Sequence, residues 1–263
     1  MCRASFMIVA LLMTVGPVGS VHAAANETDT RIESAAQKSY VFKRYLKDDS
    51  IQIESKDGLV TLTGTVADES HKLLAQETVA NLPGVKSLDN RLKFNDPPAE
   101  KSDAWLTTKV KTALLFHRNV SVMTEVTTND GVVILQGEAT SQAQKALATE
   151  YASDVEGVKA VNNKMSLPEK TGKPNEKTMG EKLDAVSESV DDASITALVK
   201  MTLLYHRSTS AINTSVETKN GRVSLGGEAR VAAEKDLVTK YVQDVNGVQS
   251  VANNMTIAAP RTK

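Results

Sequence analysis

A threefold internal repeat constrains this chain more than any other feature. Gly58-Leu59-Val60-Thr61-Leu62-Thr63-Gly64, Gly131-Val132-Val133-Ile134-Leu135-Gln136-Gly137 and Gly221-Arg222-Val223-Ser224-Leu225-Gly226-Gly227 are three copies of Gly-x-Val-x-Leu-x-Gly. Twenty residues after the closing glycine of each copy comes another glycine, Gly84, Gly157 or Gly247, followed at once by Val and six residues on by Asn90, Asn163 or Asn253. Such self-similarity means one small unit folded three times. We place the units at 30–95, 102–168 and 192–259, each near the lower size limit for an independent core.

Every unit has the pattern helix, strand, strand, helix, strand. In the second, Ser102 or Asp103 caps a helix whose apolar positions Leu106, Val110, Ala113 and Leu114 recur at helical spacing. Ile195, Val199, Thr202 and Leu203 match them in the third unit, and Ile32, Ala36, Ser39 and Tyr40 match less well in the first. Asp57-Gly58, Asp130-Gly131 and Asn220-Gly221 then signal tight hairpins, because a type I′ turn needs positive φ at both central residues. The closing glycines Gly64, Gly137 and Gly227 mark a bend or a close backbone approach. A second helix is expected over 68–81, 141–153 and 231–243, and Gly84, Gly157 and Gly247 return the chain to the sheet. Because that helix is a crossover, the last strand can run parallel to the second. The fold class is therefore α+β: three tandem αββαβ domains, each a mixed three-stranded sheet with two helices on one face. The opposite sheet face must be polar or meet a neighbour.

Residues 1–25 have the form of a secretory signal. Arg3 precedes an apolar stretch from Phe6 to Val15, Gly16-Pro17 breaks it, and Ala23-Ala24-Ala25 offers a cleavage site. The one cysteine, Cys2, lies inside this segment, so the mature chain carries neither a disulfide nor a cysteine metal site. No later apolar run is long enough to span a bilayer, so no integral membrane segment is expected after cleavage. Two prolines stiffen the link at 96–101, whereas 169–191 reads as a flexible linker. The net charge of -1 and an aromatic content of 4% argue against a nucleic-acid partner or a stacking surface.

These residues resemble the BON domain family, which includes osmotically inducible periplasmic proteins. The hairpin with Gly-x-Val-x-Leu-x-Gly, the following helix and Gly-Val-x-x-Val/Leu-x-Asn carry the resemblance over nearly all of each repeat. It implies export to the periplasm, a role in osmotic or envelope stress, and association with phospholipids or the outer membrane. Members of this layout mostly carry two such domains, so the third copy departs from the pattern. The resemblance brings no catalytic residues and no cofactor.

One recurring constellation invites a binding role. Phe42-Lys43-Arg44, Phe116-His117-Arg118 and Tyr205-His206-Arg207 end the first helix of each unit. A ring beside a bidentate donor can seat an anionic headgroup at a bilayer interface. The same cations also complement a helix C-terminus, which needs no ligand. Lys72, Lys145 and Lys235 read as a solvated helix face, the three recurring asparagines as satisfying backbone groups at a strand irregularity, and Trp105 as packing between domains or anchoring at an interface. The spacing of His71, His117 and His206 suggests no metal site, and no hydrolase, P-loop or dinucleotide fingerprint is present. The expected function is non-enzymatic interaction with an anionic phospholipid or outer-membrane surface, or with envelope proteins. A structural or chaperone-like scaffold without lipid contact is the alternative.

Overall fold

The computed structural model describes residues 19–94, 99–120, 124–167, 189–209 and 214–259. The expected signal (in its residues 1–18), the prolines of the first link, most of the second link and the C-terminal tail lie outside these.

Unit one comprises α1 (Gly19–Lys38), α2 (Tyr40–Arg44), β1 (Ser50–Lys56), β2 (Leu59–Val66), α3 (Glu69–Ala80), β3 (Ser87–Asn90) and β4 (Lys93–Phe94). Unit two has α4 (Asp103–Leu115), β5 (Glu125–Asn129), β6 (Val132–Gln136), α5 (Gln142–Ser153) and β7 (Ala160–Asn163). Unit three has α6 (Asp192–Tyr205), β8 (Thr214–Lys219), β9 (Arg222–Ala229), α7 (Ala232–Gln243), β10 (Ser250–Asn253) and β11 (Thr256–Ile257).

Each sheet is mixed, as the crossover demands. The hairpin strands pair antiparallel, with Ile53 opposite Leu62, Val126 opposite Leu135 and Val216 opposite Leu225. The last strand lies parallel to the middle one, Val60 beside Leu88, Val133 beside Val161 and Val223 beside Val251. Asp57 and Gly58 have φ of 54° and 81°, and the other two turns repeat this, as type I′ geometry requires. A Cβ on Gly64 would stand 1.9 Å from the Ser50 carbonyl oxygen, so the hairpin closes only over a glycine.

Three recurring aspartates on the first helices stabilise the hairpins, a link the sequence reading missed: Asp103 and Asp192 open α4 and α6, whereas Asp29 lies within α1. The Asp57 and Gly58 amides donate to Asp29, those of Asp130 and Gly131 to Asp103, and those of Asn220 and Gly221 to Asp192, all at 2.7–2.9 Å. The last strand is interrupted where the recurring asparagine sits. The Leu92 amide donates to Asn90 Oδ1 while Asn90 Nδ2 donates to the Lys72 carbonyl on α3; Asn163 and Asn253 do the same for Met165 and Met255. Lys145 and Lys235 do not lie on a solvated face: their Nζ atoms donate to the Met165 and Met255 carbonyls at 2.5 and 2.7 Å.

In unit one the first helix breaks at Ser39, whose extended backbone restarts the helix as α2 and moves the buried position from Tyr40 to Val41. The two amides freed by the break donate to unit three, Tyr40 N to Asp191 Oδ2 at 2.8 Å and Val41 N to Ser194 Oγ at 3.1 Å. Helix α6 is thus shared. Ile195, Val199, Thr202 and Leu203 face its own sheet, whereas Ser194, Leu198 and Met201 form a second stripe at i, i+4, i+7, and all of these are buried. From Ala193 to Val199 every residue is buried, and a stretch of helix buried on every side is a central packing element. One hydrophobic core accordingly runs through units one and three and takes in Phe116, while the core of unit two takes in Tyr241. The units meet through helices and helix ends. The bare sheet face stays polar and exposed, with Gln52 and Glu54 on β1.

Candidate functional site

The aromatic-basic motifs of units two and three face each other rather than solvent. Helix α4 delivers His117 just past its C-terminus, and α6 delivers His206. Their Nε2 atoms lie 3.1 Å apart, and neither side chain has any exposed surface. The second helices supply the walls. Tyr151 and Asp154 project from the end of α5, Tyr241 and Asp244 from the end of α7, each pair three residues apart and so on one helix face.

The arrangement has pseudo-twofold symmetry. Tyr151 OH donates to Asp244 at 2.7 Å, and Tyr241 OH donates to Asp154 at 2.9 Å. The Arg118 amide donates to the Asp244 carbonyl and the Arg207 amide to the Asp154 carbonyl, both at 2.8 Å. Asn119 donates to the Asp244 carboxylate, as Ser208 does to that of Asp154. The His117 ring stacks on Tyr151 with centroids 3.7 Å apart, and His206 lies against Tyr241 at 4.4 Å. Residue i of one unit meets residue j of the other, and j meets i, which is the signature of an isologous interface within one chain.

An aspartate at a helix C-terminus is unfavourable towards its own helix dipole. Here Asp154 and Asp244 serve the neighbouring unit instead. Burial works to raise the Asp154 carboxyl, but contacts from His206, Ser208 and Tyr241 outweigh it and hold the group below its usual range. Burial first, and then the facing carboxylates, push both Tyr151 and Tyr241 upward, so each stays a protonated donor. The Nδ1 atoms lie 3.4 Å (His117) and 3.5 Å (His206) from Asp244 and Asp154, close enough to feel the charge but without an aligned hydrogen bond. These groups are committed to one another, and the cluster acts as a clasp.

Arg118 complements a helix dipole, but that of another unit. Its guanidinium donates to the Gln243, Val245 and Val248 carbonyls beyond the C-terminus of α7. Phe116 is buried, and its carbonyl accepts from the Asn246 amide at 3.1 Å. Tyr205 is half-buried, and Arg207 is exposed with its Nε 3.5 Å from Asp154. The clasp therefore leaves Phe116, His117 and His206 no access to a membrane surface. Unit one carries Lys43, Thr78 and Asn81 in the corresponding places and takes no part in it. There Lys43 and Arg44 are exposed beside a half-buried Phe42. Trp105 packs on the core of unit two with Lys109 Nζ 3.9 Å over its ring, and His71 bonds Asp49 at 2.7 Å. Among the described residues, no group of three or more His, Cys, Asp or Glu is placed to hold a metal ion, and no helix is long and apolar enough to cross a membrane.

A model of the BON domain matches residues 28–96, 102–169 and 191–259. The chain is 32% identical over 154 residues to osmotically-inducible protein Y of Escherichia coli (strain K12), which covers 58% of this chain and 71% of that protein. Among solved structures it is similar to CdsD, a structural protein of the type III secretion system of Chlamydia trachomatis, at 16% identity and a TM-score of 0.24 over 87% of this chain and 91% of that one. It is also similar to the periplasmic domain of the type III secretion inner membrane protein PrgH from S. typhimurium, at 10% identity and a TM-score of 0.19 over 82% of this chain and 96% of that one. Scores this low do not indicate a shared whole-chain arrangement.

Proposed function

The chain belongs to the BON domain family, and from that premise we propose that it is an exported, non-enzymatic envelope protein that binds an anionic phospholipid surface during osmotic or related stress. Its three domains span 30–95, 102–168 and 192–259, and the signal is cleaved near Ala23 to Ala25, releasing the mature chain into the periplasm. The likeness to a protein named for osmotic induction, over 71% of that protein's length, supports the stress role. The exposed pair Lys43 and Arg44, beside the half-buried ring of Phe42, carries the lipid reading. Two cations supply about 1 kcal/mol each at an anionic surface, so binding is weak and salt-sensitive. Arg207 and the outer part of Arg118 can add to this charge at the rim of the clasp.

A second reading rests on a different place. Leu73 and Glu77 of α3, Lys200, Met201 and Leu204 of α6 and Val216 of β8 line a recess of about 240 Å³. The Glu77–Lys200 ion pair at 2.9 Å spans it. An apolar recess with a charged pair suits an envelope protein segment better than a headgroup, which supports the scaffold alternative.

Flotation with vesicles separates the two. The mature chain should float with vesicles rich in anionic lipid, less so as salt is added, and Lys43→Ala/Arg44→Ala should sharply reduce the floating fraction without changing the circular dichroism spectrum. A wild-type chain that never floats overturns lipid contact and leaves the recess as the contact surface. Intact mass of protein from the native host should show the chain starting at Ala24 or close to it; retention of residues 1–23 would overturn the export reading.

A further inference from the structure

The contact between units two and three includes a bond that exists in only one kind of protonation state. With the Nε2 atoms of His117 and His206 3.1 Å apart, one nitrogen must carry hydrogen and the other must present a bare lone pair. The tautomers can exchange these roles, but two imidazolium rings cannot share the bond. Double protonation sets two N–H groups head to head and places two positive charges in a site with no exposed side-chain surface. Among the described residues, no group of three or more His, Cys, Asp or Glu is placed there to hold a metal ion.

We infer that the His117–His206 pair is an acid-sensitive latch, closed while at least one imidazole is neutral and opened when both are protonated, so that units two and three part at this face. The inference stands whatever surface the protein binds.

The groups around the pair set the pH window. From unit two the site is faced by Tyr151, Asp154, Glu150 and Arg118, and from unit three by Tyr241, Asp244, Lys240 and Arg207. Lys240 and Glu150 pair with each other at 2.6 Å at the rim. The phenols stay neutral, and one proton can enter the pair while the other ring keeps its Nε2 lone pair. A second is opposed: burial, and then the charge of His206, lower His117 below its ordinary value despite the pull of Asp244. The closed form thus binds fewer protons than the open form. Closure is fully favoured above the ordinary imidazole value of about 6.5 and is lost as pH falls below it. For one extra proton taken up on opening, the ratio of open to closed rises about tenfold for each pH unit below about 6.5. Asp154, itself lowered, withdraws its contribution only further into acid, below the ordinary carboxylate value of about 3.9.

Spin labels at Ala146→Cys on α5 and Asp236→Cys on α7, both exposed, report the separation in a chain carrying Cys2→Ser. Double electron–electron resonance should give one narrow distance at pH 7.5. At pH 5 a longer-distance population should grow by at least about tenfold. In His206→Gln the amide oxygen accepts from a protonated His117, so this variant should keep the narrow distance at both pH values. Absence of the long-distance population in wild type at pH 5, or equal opening in His206→Gln, overturns the latch. Should His206→Gln be open already at pH 7.5, imidazole NMR of wild type decides. Both rings must titrate with the midpoint of the distance change; a different midpoint for either overturns the inference.

Discussion

Replacing Leu198 by alanine tests whether α6 is the shared helix of units one and three. Leu198 is completely buried. It lies on the stripe between Ser194, which accepts the Val41 amide, and Met201, which lines a recess with Leu73 of α3. The corresponding residue of unit two is Lys109, so a unit of this fold does not need an apolar side chain there for its own core. The cost of Leu198→Ala should therefore fall on the contact with unit one. A buried Leu→Ala change costs about 2–5 kcal/mol, the upper end where the surroundings cannot collapse into the gap. Hydrogen exchange read helix by helix is the appropriate assay, because local openings differ in free energy across one structure. Amides of α3 should lose about 2–5 kcal/mol of protection, while those of α5 and the fluorescence of Trp105 in unit two stay as in wild type. Unchanged protection of α3, or an equal loss in all three units, would refute the assignment.

Two further perturbations follow from the hairpins. Gly131 has φ of +79° and only the flexible end of Lys159 near its missing Cβ, so Gly131→Val should cost more than about 1 kcal/mol through backbone strain alone; an unchanged urea midpoint would contradict this. Asp29 accepts from the Ser55 hydroxyl first and then from the Gly58 amide, which lower its carboxyl. Its contribution to unit one is present above the ordinary carboxylate value and is lost as pH falls through the lowered one. Asp29→Asn should flatten that acid limb in urea melts between about pH 4 and 2, and an unaltered limb would count against the clasp on the hairpin.

The architecture was legible in the sequence because its determinants are local. Asp57-Gly58 specifies a turn within two residues, Leu106 and Val110 mark a helix face within one turn, and Asn90 sits beside the strand break it bridges. The aspartates that bind the hairpins left a fainter trace. Asp29, Asp103 and Asp192 recur 28 or 29 residues ahead of the hairpin glycines, but Asp103 and Asp192 stand in the first turn of a helix, where an acidic residue already has a local explanation. The interface was not legible, because its partners lie far apart in the chain and no periodicity pairs them: His117 meets His206 and Tyr151 meets Asp244, 89 and 93 residues away. A usable signal existed all the same. His, Tyr and Asp recur together at 117, 151 and 154 and at 206, 241 and 244, whereas unit one has Lys43, Thr78 and Asn81 there. A polar set repeated in two copies and missing from the third marks a contact between those two. The apolar second stripe of α6, with Leu198 and Met201 where unit two has Lys109 and Thr112, marks the shared helix in the same way.

The central claim is that the three units form one body with two of their helix tips joined face to face. Small-angle X-ray scattering of the mature chain at pH 7.5 tests it most directly. A single compact body of this length has a radius of gyration of about 18 Å, and that is the predicted result. A value above about 25 Å, as expected of three units arrayed end to end on linkers, would contradict it.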